Sequence, residues 1–150
     1  MKEKLGVIFL VLFLTTFFIH VQQGLATKIY SDADTSKSSN RIAVASVGDS
    51  ATSEISQRAG RAPYYLIFDE DGVFLKAIQN SAGNRRGGAS SVVVGLLLKE
   101  SVKTVIAGRF GNKMISQLKA NKIDYHERSG VAKKTVKTFL KNKRSKDEKK

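Results

Sequence analysis

The sequence contains no cysteine. Without thiols there is no disulfide scaffold, no thiolate-ligated zinc or iron–sulfur centre and no cysteine nucleophile. Acidic residues are scarce as well: 13 Asp and Glu stand against 26 Lys and Arg, a formal net charge of +13. That imbalance asks for an anionic partner, whether nucleic acid, a membrane surface or a small anion, without choosing among them. Internal repeats and heptads are missing, which removes solenoids and coiled coils. No Ser/His/Asp set and no pair of carboxylates at a pocket can be assembled, so catalysis has no candidates. Asp69, Glu70 and Asp71 do cluster, but in a turn, where acidic residues are ordinary. What remains is a chain of 150 residues, 41% of them hydrophobic, sized for one domain.

Residues 1–26 carry the three parts of an export signal: Lys2 and Lys4, an apolar stretch from Leu5 to Ile19, and small residues at Gly24 and Ala26. They predict cleavage after Ala26 and a secreted or periplasmic protein. If the signal is not cleaved, it is a membrane anchor, since Phe17 to Val21 extend the apolar run toward spanning length. His20 belongs to this segment and carries no chemistry. Residues 27–40, TKIYSDADTSKSSN, are small and polar and read as a linker. Residues 41–131 hold 13 basic and 8 acidic groups, and residues 132–150 hold 9 and 2, so more than half of the excess charge falls in the last stretch.

Between these ends the sequence alternates strands and helices. Ile42–Ala45, Tyr64–Phe68 and Val73–Ile78 are apolar runs, and the acidic turn Asp69–Gly72 joins the last two into a hairpin. Ser91 to Lys99 has no polar face after a Ser-rich start, which predicts a buried helix packed on a sheet. Lys103–Ala107 is a fourth strand. Asn112 can cap a second helix whose stripe is Met114, Ile115 and Leu118, and Ile123–Tyr125 is a fifth strand. Ala132, Val136, Phe139 and Leu140 share one face of a last helix, with Lys133, Lys134, Lys137 and Lys141 on the other. After Lys141 the chain is too polar to bury and is expected to fray as a basic tail over 142–150. The fold class is therefore α/β: a mixed five-stranded sheet flanked by about three helices, spanning residues 41–141.

In such a sheet ligands bind beyond the carboxyl ends of the parallel strands, where loops enter helices and free N–H groups point outward. Two Gly-rich segments qualify, Asn84–Ser90 and Gly108–Lys113, although their spacing is neither a Walker A loop nor a dinucleotide fingerprint. The candidate set is Gly87, Gly88, Gly111 and Asn112 for close backbone approach, with Arg85, Arg86, Arg109 and Lys113 supplying charge. The alternative is that the glycines only make turns and the cations are solvated.

The residues from Ile42 to about Leu140 resemble the dinitrogenase iron-molybdenum cofactor biosynthesis family, the NifX-type cofactor-binding domain, related in shape to ribonuclease H. Five pieces in order carry the resemblance: IAVAS, then Gly60 to Asp69 (GRAPYYLIFD), Gly87-Gly88-Ala89, Val105 to Gly111 (VIAGRFG), and Gln117 to Ile123 (QLKANKI). The resemblance implies a ribonuclease H-like architecture. It also implies a carrier or chaperone, not an enzyme, for iron-molybdenum cofactor or another iron–sulfur cluster. It adds Arg58, Gly60 and Arg61 to the candidate site. Family sequences often place a His at the position of Arg58, so an imidazole ligand is lost here. His126 is the one other imidazole, a weak metal candidate. Three functions follow. An anionic small molecule or metallocluster is held by guanidinium groups and helix N-termini; or the Lys-rich last helix and tail bind a polyanion or anionic membrane surface; or, on fold shape alone, the protein is an enzyme. The first is preferred. Base stacking in the tail finds little support, because Phe139 belongs to the core stripe. Arg61 could instead form an ion pair with Asp69 or Glu70.

Overall fold

The computed structural model describes residues 40–149. The expected export signal, its cleavage site, His20 and the linker up to residue 39 lie outside the described residues. Five strands, β1 (Arg41–Ser46), β2 (Tyr64–Phe68), β3 (Phe74–Gln79), β4 (Val102–Ala107) and β5 (Asp124–Glu127), form one sheet in the order β3-β2-β1-β4-β5. Pairing is antiparallel among β1, β2 and β3 and parallel from β1 to β4 and from β4 to β5, the expected mixed sheet. Three helices complete it: α1 (Ala89–Lys99), α2 (Asn112–Ala120) and α3 (Ala132–Asp147). A 3-10 turn, Ala59–Arg61, precedes β2.

Side chains alternate across a strand with period two, so each central strand feeds two cores. Ala43, Ala45, Tyr65, Ile67, Val105 and Ala107 face α1 and α2, where Val93, Leu97, Met114 and Leu118 cover them. Ile42, Val44, Leu66, Phe68 and Ile106 face α3, which lays Ala132 and Val136 over them, with Phe139 and Leu140 at the margin. The hairpin turn works as its residues suggest. Asp69 Oδ1 accepts from the N–H groups of Asp71 (3.0 Å) and Val73 (2.8 Å), and Gly72 supplies the left-handed backbone at φ 81°.

Four local expectations are corrected. Helix α1 opens at Ala89, and its N-cap is Gly88 at φ 73° with no side-chain cap, so the serines lie inside the first turn. Nor is α1 buried all round, because Leu98 is 47% exposed. Helix α2 is capped at Gly111, with Asn112 already its first residue and no side-chain cap bond. The polar end of the chain does not fray at Lys141. Helix α3 runs on to Asp147, and Arg144 Nη2 forms an ion pair with Asp71 Oδ1 at 3.1 Å. Exposed lysines are good helix formers and need no burial to continue a helix already anchored by packing. Among the described residues no helix is long and apolar enough to cross a membrane.

Candidate anion-binding site

The carboxyl ends of β1 and β4 lie side by side, Val44 opposite Ile106. Past Ser46 the chain loops out and returns as Ile55–Ala59, crossing both strand ends. Three backbone bonds fasten the crossing. Ser56 N–H donates to the Ala45 carbonyl (2.9 Å), Gly108 N–H to the Ser56 carbonyl (2.9 Å), and Ala59 N–H to the Arg109 carbonyl (3.0 Å). The 3-10 turn is thereby set against the loop that opens α2.

Two buried polar groups hold that turn from below. The Tyr65 hydroxyl donates to the Ala59 carbonyl at 2.6 Å, and Asn80 Nδ2 donates to the Ala62 carbonyl at 2.8 Å. Burial pushes the Tyr65 phenol far above its ordinary range, so it stays a donor. Neither residue stood out in the sequence as part of a site. The signal for Tyr65 was its register, inward on a strand between buried neighbours, where a phenol requires a partner.

Arg61 also serves the framework. Its Nη1 donates to the carbonyls of Gly83 (3.0 Å) and Arg85 (2.5 Å), so it ties the 3-10 turn to the Asn84–Ser90 loop, in place of the alternative ion pair with Asp69 or Glu70. A Cβ built on Gly60 would lie 3.9 Å from the Ala89 Cβ, which sets the turn beside the start of α1. Helix α2 is joined to α1 by Gln117 Nε2 donating to Ser91 Oγ at 2.9 Å. The α2 loop is pinned by Phe110 N–H donating to Glu127 Oε1 at 3.0 Å.

The backbones of Arg58, Gly60, Arg61, Arg85, Gly88 and Arg109 thus belong to three loops fastened to one another at the carboxyl end of the parallel strands. Arg86 and Gly87 continue the second loop, and Gly111, Asn112 and Lys113 the third. All six cations of the set, Arg58, Arg61, Arg85, Arg86, Arg109 and Lys113, are exposed. The arrangement is an open basic rim beside the starts of α1 and α2, neither of which has a side-chain cap and where the first N–H groups of a helix lack intrahelical partners.

His126 lies apart from it. On β5 it turns to the α3 face, its ring 4.7 Å from that of Phe139, while the adjacent Tyr125 turns the other way onto Phe110 at 5.4 Å. Burial, then the Arg128, Lys143 and Lys146 charges, lower its pKa from the usual 6.5 against an opposing pull from Asp124. A groove of about 1010 Å³ runs beside it between β5 and α3. Among the described residues no group of three or more His, Asp or Glu could hold a metal ion. With no thiol in the sequence and its imidazole on another face, the basic rim does not fit direct ligation of cluster iron.

A mixed sheet in this order, with helices on both faces and basic loops beyond its parallel strand ends, defines an α/β domain built on a single sheet. Residues 40–142 match the dinitrogenase iron-molybdenum cofactor family, and the chain belongs to it. Among solved structures, a Thermotoga NifB candidate determined by NMR is 26% identical, with a TM-score of 0.60 over 68% of this chain and 88% of that one. The apo form of the orange protein from Desulfovibrio gigas is 24% identical, with a TM-score of 0.65 over 69% and 88%. No match was found among the curated proteins.

Proposed function

We propose that this protein is an exported, non-enzymatic carrier that holds an anionic guest, a small oxyanion or an anionic metallocluster, on the basic rim and without iron ligation. Family membership supports the carrier role. The observation that carries the anion is the fastening of three loops at one strand end, by the Ala59–Arg109 bond on one side and by Arg61 on the other. Such a rim offers charge-assisted hydrogen bonds from arginines and helix starts, and these need no sulfur donor. Arg61 and Tyr65 position the loops; Arg58, Arg85, Arg86, Arg109 and Lys113 meet the guest.

The test is an amide NMR titration of the full chain with molybdate, phosphate and a reconstituted iron–sulfur cluster in turn. At least one should shift Arg58, Gly87, Gly88 and Gly111 together. Arg109→Gln should weaken that binding about tenfold or more, since a hydrogen bond to a charged group contributes ~1.5–3 kcal/mol. If all three anions leave these resonances in place, the proposal fails. Export is tested separately by the mass of the protein recovered outside the cytoplasm, which should correspond to a start at Thr27.

A further inference from the structure

Helix α3 spends its apolar stripe on the centre of the sheet and leaves the outer part of that face, along β4 and β5, open. The resulting groove has Thr104, Asp124 and His126 on its floor. Its wall is one line of α3, Thr135, Thr138, Asn142 and Ser145, about 15 Å long at the helical rise, continued by Lys149. Five cations line it, Arg128, Lys134, Lys143, Lys146 and Lys149, against a single carboxylate, Asp124. Among the described residues none of the five is in an ion pair. Like charges gathered along a concave surface repel one another unless a counter-anion joins them.

We infer that this groove is a binding site for a linear polyphosphate chain. Lys143 and Lys146 follow one another at about 4.5 Å of rise, and Lys149 lies just past the helix end. An extended peptide presents acidic side chains on one face only every ~6.7 Å, whereas a phosphate chain carries a charge on every unit, and lysine serves phosphate well as a point charge. The wall hydroxyls do not compete for the role. Thr135, Thr138 and Ser145 donate back to the helix carbonyls of Val131, Lys134 and Asn142 at 3.0, 3.1 and 3.1 Å, which leaves the anion to the ammonium groups. His126 and Phe139 provide one aromatic contact, not the series of platforms that successive bases require. A membrane surface fits less well, because the apolar stripe of α3 is already buried against the sheet and the cations line a concavity. The site is on the opposite sheet face from α1 and α2 and does not depend on the basic rim.

Binding of the full chain to inorganic polyphosphates of graded length tests the inference, with orthophosphate, oligothymidylate, polyglutamate and phosphatidylserine vesicles as competitors of matched charge. Affinity should rise with phosphate chain length and then level off once the groove is filled, and it should fall steeply with salt. The double variant Lys143→Ala/Lys146→Ala should reduce the slope of log K against log salt by about two. Lys133→Ala/Lys137→Ala, which removes the same charge from the opposite face of α3, should leave most of the affinity. Binding should also raise the pKa of His126, flanked by Asp124 on β5, by Arg128 just past the end of that strand and by Lys143 and Lys146 on α3, as read from its ring proton shifts. Arg109→Gln should change none of this, so failure here is distinct from failure at the rim. Equal losses from the two lysine pairs overturn the groove as the site. Tighter binding of oligothymidylate, polyglutamate or vesicles than of polyphosphate overturns the ligand.

Discussion

Gly108 and Gly111 sit three residues apart in one loop and answer to different constraints. A Cβ on Gly108 would lie 2.7 Å from the Gln57 Cα and 3.1 Å from two backbone carbonyl oxygens, all of them parts of the crossing segment that cannot swing away. Nothing lies within 4 Å of a Cβ on Gly111. Gly108→Ala should therefore destabilise by roughly 1–3 kcal/mol or more, and Gly111→Ala by less than about 0.5 kcal/mol, as measured by urea unfolding. The glycine of the VIAG run thus serves the packing of the loops, while Gly87 and Gly111 remain open to a ligand. Tyr65→Phe makes a second comparison. It leaves the buried Ala59 carbonyl with only the long 3.4 Å bond from the Ala62 N–H, which costs about 1–3 kcal/mol, and it should weaken anion binding through the 3-10 turn while Arg109→Gln weakens binding alone. The phenol is held neutral in the fold and ionises near pH 10 when unfolded. Its contribution is therefore complete below about pH 10 and declines as the pH rises further.

At the scale of elements, what was legible in the sequence follows from how local each signal is. Tyr64–Phe68 was readable residue for residue, because five apolar residues stand between Pro63 and an acidic turn. The strand-end location of the basic loops was also readable, since it follows from the alternation of strands and helices. The partners of Arg61 were not, because the Gly83 and Arg85 carbonyls reach it only through tertiary folding. The end of α3 was misjudged for a related reason. Polarity after Lys141 reports the lack of a buried face, not the lack of a helix, and the Arg144–Asp71 pair joins segments 73 positions apart. That pair is exposed on both sides and contributes little. Removing residues 142–150 should accordingly shorten the helix signal in circular dichroism yet lower stability by no more than about 1 kcal/mol, with anion binding at the rim unchanged.

For the molecule as a whole the governing quantity is charge. The chain carries +13, and the ion pairs of the described residues, Arg41–Glu100, Lys76–Glu100 and Arg144–Asp71, engage few of its cations. Compaction brings the remaining positive groups closer together, a cost that salt screens. His126 links this field to pH. Its pKa is lowered in the fold by burial and by Arg128, Lys143 and Lys146, and it returns to about 6.5 on unfolding. As the pH falls below that value the unfolded chain takes up the proton first, so the stability this residue lends above pH 6.5 is lost toward its lower folded pKa. Two features should then appear in thermal unfolding. The melting temperature should rise from low salt to about physiological ionic strength, the reverse of a fold held by surface ion pairs. It should also fall between pH 7 and pH 5 in the native chain and less so in His126→Phe, which keeps the ring against Phe139 but cannot bind a proton. An equal fall in both proteins would place the titration elsewhere and remove His126 from the account of how this basic fold senses pH.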